Sequence, residues 1–192
     1  HIPVDIQKLS VKNFPQQKEM TKDDYVIICG DFGGVWDGSQ EEKYWIKWLK
    51  SKSFTTLFID GNHENFKMLG NLPITELCGG RVHKVDDGIY HLMRGEIYNI
   101  CDKKVFVFGG GSSHDKEHRI EGKNWWKEEI PCQEEYSNAE NNLKKAEAKS
   151  DPNMSPASAF LIICFHNIHR ILYFCDDVNN LIVSQPLHIF YV

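Results

Sequence analysis

Two short stretches of this sequence decide its fold: residues 24–34 read DYVIICGDFGG and residues 57–64 read LFIDGNHE. In each, a continuous apolar run of strand length ends at a glycine beside polar side chains, a pattern typical of a strand buried on both faces. Between them, Ser39 and Glu42 form a capping-box pattern, and apolar residues then recur at helical spacing to about residue 52. A strand, a helix and a second strand in this order predict a right-handed crossover and a parallel strand pair.

The remaining sequence continues the α/β pattern. A short helix is expected over residues 64–69, a polar helix over residues 133–149 and a last strand over residues 160–165. Short apolar runs separated by turn signals predict a meander of hairpin-connected strands at residues 81–85, 88–94, 96–100 and 104–108. The sequence therefore predicts one α/β domain with a mixed sheet, or with two sheets packed face to face.

Length and composition exclude several classes of protein. The 192 residues are 41% hydrophobic and 26% charged with a net charge of −5, which is typical of one soluble domain and leaves no strong nucleic-acid signal. The longest apolar run, residues 159–175, is interrupted by charged and histidine side chains and is too short for a spanning helix. With no signal-peptide pattern and six scattered cysteines, we expect a cytoplasmic protein without a membrane span.

The polar side chains that follow the two strands are suited to metal and proton chemistry. Asp31 offers an anionic oxygen that can bridge two cations, Asn62 offers a neutral carbonyl oxygen, and His63 offers an imidazole that can donate a proton. In open α/β sheets, ligands bind beyond the carboxyl ends of the strands. We therefore expect these three side chains to line one crevice.

These stretches resemble motifs of the calcineurin-like metallophosphoesterases, which are Asp-x-His, Gly-Asp-x-x, Gly-Asn-His-Asp/Glu, a later strand-end His and Gly-His-x-His. Residues 27–36 look like the second motif and residues 58–64 like the third, while residues 108–131 are similar to a bacterial and phage subgroup of that family. The resemblance covers roughly residues 1–165. It implies a four-layer αββα sandwich with mixed sheets.

The resemblance also implies an activity, the hydrolysis of phosphate mono- or diesters by a dinuclear metal centre and a metal-bridging hydroxide. The cofactors would be two divalent ions, with manganese favoured and iron, zinc or magnesium as alternatives. Asp31 would bridge the two cations and Asn62 would bind one of them and the substrate. His63 would contact the phosphate and protonate the leaving oxygen.

Three more charged side chains lie close to these motifs. Arg119 is a candidate for bidentate binding of the substrate phosphate, although a surface or structural role is an equal alternative. Arg94 is a weaker candidate for the same task. Asp60, at the end of its strand, is expected to be structural.

The sequence departs from the family pattern at both ends. His1 fits the His of Asp-x-His, in which case the Asp and the first strand lie outside this chain; alternatively it is a chance first residue. His166 is the candidate for the strand-end ligand and His169 is its competitor, but no Gly-His-x-His follows. We therefore expect an incomplete metallophosphoesterase domain over residues 1–166 and a divergent tail of unknown structure over residues 167–192.

Two other hypotheses come from different functional classes. The chain could be a non-catalytic remnant that keeps Asp31, Asn62 and His63 around an incomplete metal centre. Alternatively, it could be a mononucleotide- or protein-binding module that uses Trp125 and Trp126 as a contact surface, although packing is the simpler role for these tryptophans.

Overall fold

The computed structural model describes residues 2–101, 103–148, 159–163 and 187–191. Within them the chain forms three α-helices, α1 (Gln40–Lys50), α2 (Phe66–Gly70) and α3 (Gln133–Ala148). The strands are β1 (Tyr25–Cys29), β2 (Thr55–Ile59), β3 (Ile74–Leu77), β4 (Gly80–Asp86), β5 (Ile89–Leu92), β6 (Ile97–Ile100), β7 (Lys103–Phe108), β8 (Ala159–Ile163) and β9 (Leu187–Tyr191). No helix in these ranges is both long enough and apolar enough to cross a bilayer.

The strands form two mixed sheets. The larger has six strands in the order β3-β4-β5-β2-β1-β9, and the smaller has three in the order β6-β7-β8. β1 pairs in parallel with β2, as the sequence predicts, with Ile27 opposite Leu57 and Cys29 opposite Ile59. The strands β3, β4 and β5 pair in antiparallel fashion at one end of the large sheet.

Three hydrophobic clusters give the order of the layers. Alternate residues of β1 face opposite sides, so that Ile27 packs with β7 of the small sheet while Val26 and Ile28 pack with helix residues such as Leu49. On the outer face of the small sheet, Phe106 and Phe108 pack against Ala139 of α3. The layers therefore run helix, sheet, sheet, helix, which confirms the predicted αββα sandwich.

The start of α1 shows how local sequence shapes the loop after β1. Ser39 caps the helix by accepting a hydrogen bond from the Glu42 N–H at 3.1 Å. A capping box predicts that Glu42 reaches back to the Ser39 N–H. Instead, Glu42 Oε2 accepts from the N–H groups of Trp36, Asp37 and Gly38, while the Ser39 N–H bonds to Asp37. Glu42 therefore folds the preceding loop onto the helix.

Three elements differ from the sequence expectation. β3 was not predicted, because it is a largely exposed edge strand without an alternating apolar pattern. The predicted meander is divided between sheets, since β5 belongs to the large sheet and β6 to the small one. Residues 187–191, in the segment expected to diverge, form β9, which pairs in parallel with β1.

A buried ionic network ties β2 to the turn after β5. The Arg94 guanidinium donates to Asp60 Oδ2 through Nε at 2.8 Å and Nη2 at 2.6 Å, and its Nη1 contacts Glu135 at 3.0 Å. His91 Nε2 lies 3.0 Å from the other Asp60 oxygen. Burial alone would raise the pKa of Asp60, but Arg94 and His91 outweigh it and lower the pKa to about 2. Asp60 is structural, as expected, and Arg94 is fully engaged with protein groups rather than open to a phosphate.

We expect Asp60→Asn to lower the free energy of unfolding at pH 7 by about 3 kcal/mol, because Arg94 would lose its buried charge partner and keep only the more exposed Glu135. A carboxyl group with a depressed folded-state pKa stabilises the protein above its unfolded pKa of 3.8, and this stability is lost as the pH falls toward 2. The variant should therefore also lose less stability between pH 5 and pH 2. Urea unfolding across this pH range measures both effects, with the exposed Asp23→Asn as the control. Equal unfolding curves for the two variants would contradict the network.

Candidate active site

The loops that follow β1 and β2 meet at the carboxyl ends of these strands. The Gly30 N–H donates to the Ile59 carbonyl at 3.0 Å, and the His63 N–H donates to Asp31 Oδ1 at 3.1 Å. A Cβ atom at Gly61 would overlap Asp31 Oδ1 and would lie 2.6 Å from the Asp31 backbone nitrogen. Only glycine permits this approach, so the loop that carries Asn62 and His63 lies directly against Asp31.

Asp31 lies in an unusual backbone conformation that a buried glutamate supports. Its φ is +46°, in the left-handed region, and the residue is only 8% exposed. Directly after it, the Phe32 N–H donates to Glu64 Oε1 at 2.6 Å and the Gly33 N–H to Glu64 Oε2 at 3.3 Å. Burial raises the pKa of Glu64 to about 8. Glu64 belongs to the recognised motif, but the sequence analysis gave it no role of its own.

The Asn62 side chain carries the clearest sign of a ligand-binding role. Asn62 is 4% exposed, and its Nδ2 donates to Ser113 Oγ at 2.9 Å. Its Oδ1 is buried and accepts no hydrogen bond from any described residue. A buried carbonyl oxygen without a partner costs free energy. Together with the Asp31 carboxylate, this oxygen fits a hard divalent cation such as manganese or magnesium.

His63 and Arg119 lie side by side next to these oxygens. Arg119 Nη2 is 3.4 Å from His63 Nε2. The guanidinium is held by Asp115 Oδ1 at 2.8 Å from Nε and by the Asn124 carbonyl at 3.1 Å from Nη1. The structure therefore places the Arg119 guanidinium beside the predicted proton donor, held by two contacts that also fit the alternative structural role.

A cavity of about 300 Å³ opens beside His63. Its walls include the indole rings of Trp36 and Trp45 and the carboxyl-bearing residues Asp37, Glu41 and Glu42. No lysine or arginine lines it among the described residues. The cavity therefore combines flat apolar surface with negative charge.

Some predicted residues are not brought together by the described part of the structure. His1, His166 and His169 all lie outside the described residues. Within the described residues, no group of three or more His, Cys, Asp and Glu side chains is arranged to hold a metal ion. Of the predicted metal ligands, Asp31 and Asn62 are the two that lie within the described residues.

One of the two tryptophans proposed as a contact surface, Trp126, has a packing role. Trp126 is 6% exposed and meets Trp36 edge-on, with ring centroids 5.2 Å apart. A buried indole is not available to a partner, so the structure favours the simpler role for Trp126. Ser113 and Glu129, described below, are the residues the sequence analysis missed.

We expect Gly61→Ala to destabilise the protein by about 1–3 kcal/mol, because the added Cβ must push the Asp31 segment away. Gly70→Ala is the matched control, since nothing lies within 4 Å of a Cβ at that position. Chemical unfolding of both variants measures the difference. A Gly61→Ala variant as stable as the Gly70→Ala variant would contradict the close approach.

Comparison with known proteins agrees with this geometry. A family model described as calcineurin-like phosphoesterase matches residues 6–173. Searches of curated proteins and of solved structures find no similar protein. The match spans both loops of the site and the segment that carries Arg119.

Proposed function

Because this chain belongs to the calcineurin-like phosphoesterase family, we propose that it hydrolyses phosphate mono- or diesters with the help of two divalent metal ions. Bound cations, with manganese as the expected metal, would neutralise substrate charge and supply an acidified water molecule for attack on phosphorus. The observation that supports the proposal is that Asp31 and the segment carrying Asn62 and His63 meet at one sheet edge, where Asn62 Oδ1 accepts no hydrogen bond from the described residues.

Each side chain of the site has a proposed task. Asp31 would hold both cations, and Asn62 would bind one of them through Oδ1 and also contact the substrate. His1 and His166 remain the predicted further ligands. The hydrogen bond from the His63 N–H fixes the Asp31 carboxylate, so the residue that bears the proton donor also orients the metal ligand.

His63 and Arg119 would act on the substrate itself. His63 would donate a proton to the leaving oxygen. Arg119, anchored by Asp115 and Asn124, would bind a phosphate oxygen without having to reorganise. The 3.4 Å between Arg119 Nη2 and His63 Nε2 means that one phosphate group can contact both side chains.

We expect His63→Ala to reduce hydrolysis of 4-nitrophenyl phosphate or its bis-ester by roughly 10²–10⁴-fold in the presence of manganese. The control is His118→Ala, because the His118 side chain is 80% exposed. Initial rates of the two purified variants and the unaltered chain provide the test. Turnover that survives His63→Ala would overturn the assigned role.

The same assay tests the alternative of a non-catalytic remnant. Only two of the proposed metal ligands, Asp31 and Asn62, lie within the described residues, and so few ligands favour weak manganese binding and slow turnover. Manganese binding without any hydrolysis would support the remnant. Hydrolysis that depends on both manganese and His63 would exclude it.

The charge of the cavity beside His63 predicts a preference among substrates. A group expelled next to the proton donor would enter this cavity, where Glu41 and its neighbours disfavour negative charge. We expect faster hydrolysis of 4-carbamoylphenyl phosphate than of 4-carboxyphenyl phosphate, which has a similar shape and an added charge. Glu41→Gln should reduce this preference by up to roughly fivefold, or about 1 kcal/mol.

For each variant, the rate with the carbamoyl ester is divided by the rate with the carboxy ester. Comparing this ratio between variants removes the contribution of the difference in intrinsic reactivity between the two esters. Glu76→Gln, an exposed change on the edge strand β3, should leave the ratio unaltered. A ratio that Glu41→Gln leaves unchanged would show that the leaving group does not occupy this cavity.

A further inference from the structure

Two residues from outside the motif loops determine which way the Asn62 amide faces. Asn62 Nδ2 lies 2.9 Å from Ser113 Oγ, and Ser113 Oγ lies 2.6 Å from Glu129 Oε2. The Ser113 N–H also donates to Glu129 Oε1 at 3.0 Å. Glu129 is fully buried and Ser113 is 5% exposed. The three side chains therefore form a buried relay, Glu129–Ser113–Asn62.

The direction of each hydrogen bond in the relay follows from the chemistry of the carboxylate. An ionised glutamate can only accept, so the single hydroxyl proton of Ser113 is given to Glu129. Ser113 Oγ can then only accept from Asn62, which must turn its NH2 group toward the serine. The carbonyl oxygen of Asn62 consequently faces the opposite way, where it has no hydrogen-bond partner among the described residues.

Glu129 is kept in its ionised form by its surroundings. Lys116 Nζ lies 3.0 Å from Glu129 Oε1. Burial alone would raise the pKa of Glu129, but the hydrogen bonds from Ser113 and the contact with Lys116 outweigh it and leave the pKa below its usual value. The carboxylate therefore remains an acceptor at neutral pH.

The backbone of Glu129 also makes close contacts with the glycine-rich segment that follows β7. The Gly111 N–H donates to the Glu129 carbonyl at 3.0 Å. At Gly110, which has a φ of +103°, a Cβ would lie only 2.8 Å from that carbonyl oxygen. These glycines after β7 let the Ser113 segment lie against Glu129, which sets the position of the serine hydroxyl.

We propose that Glu129 and Ser113 are positioning residues that present the carbonyl oxygen of Asn62, rather than its NH2 group, to a divalent cation. This inference rests on the proposed metal site. The NH2 group of an amide repels a cation, so an amide that is free to rotate binds the metal less well than one held with its oxygen forward. The relay supplies that constraint from two positions that contact no substrate.

Manganese affinity of the purified chain tests the inference, measured by isothermal titration calorimetry. In Glu129→Gln, the NH2 group of the new glutamine can donate a hydrogen bond to Ser113 Oγ. The Ser113 hydroxyl can then donate its own proton to Asn62. The Asn62 amide would rotate so that Oδ1 accepts this hydrogen bond and faces away from the cation. We expect manganese affinity to fall about 10–100-fold in Glu129→Gln and in Ser113→Ala. Glu128→Gln, an exposed neighbour, is the matched control and should keep the affinity of the unaltered chain.

The same substitutions made in a second parent protein, the Asn62→Asp variant, distinguish a positioning role of Glu129 from a general structural role. In the Asn62→Asp variant, either orientation of the side chain presents an oxygen, so adding Glu129→Gln should not weaken manganese binding further. A merely structural loss would lower affinity in both backgrounds. Thermal unfolding without metal reports whether each variant is folded.

The outcomes distinguish the inference from the function on which it rests. Unchanged manganese affinity in folded Glu129→Gln, or an equal loss in the Asn62→Asp background, would overturn the relay and leave the metal site standing. Absence of manganese binding by the unaltered chain would overturn both the metal site and the relay.

Discussion

The contact between Asp31 and the backbone of residues 61–63 is the constraint on which the rest of the site depends. Parallel pairing of β1 with β2 places the ends of the two strands side by side, and Gly61 lets the second loop pass directly against Asp31. The His63 N–H then holds the Asp31 carboxylate at 3.1 Å. One contact thus joins the loops, orients the proposed metal ligand and places the proposed proton donor beside it.

Buried acidic side chains hold the segments around this contact. Glu64 accepts hydrogen bonds from the loop after β1, Asp60 pairs with Arg94, and Glu129 fixes Ser113. Each of the three is at most 1% exposed, so each would destabilise the fold if its partners moved away. The cost of leaving such a group without partners favours this arrangement of the loops, in which Asn62 Oδ1 accepts no hydrogen bond from the described residues.

The features that could be predicted from sequence are those with a local signal. The apolar runs of β1 and β2, the Ser39 cap and the Gly-Asn-His-Glu stretch each lie within a few residues, and they located three of the site side chains. Contacts between residues that are far apart in the sequence have no local pattern from which they can be predicted. Ser113 lies 51 residues from Asn62 in the sequence, and Arg94 lies 34 residues from Asp60. The β3 strand could not be predicted, because a strand exposed at the edge of a sheet does not need alternating apolar and polar residues.

The central claim is that Asp31 and Asn62 form part of a metal site. Crystals of the chain grown with manganese, with diffraction data collected at the manganese absorption edge, test it most directly. We expect anomalous density within bonding distance of both the Asp31 carboxylate and Asn62 Oδ1, with the Asn62 NH2 group facing Ser113. Well-ordered side chains at these positions with no anomalous density beside them, in crystals that contain saturating manganese, would contradict it.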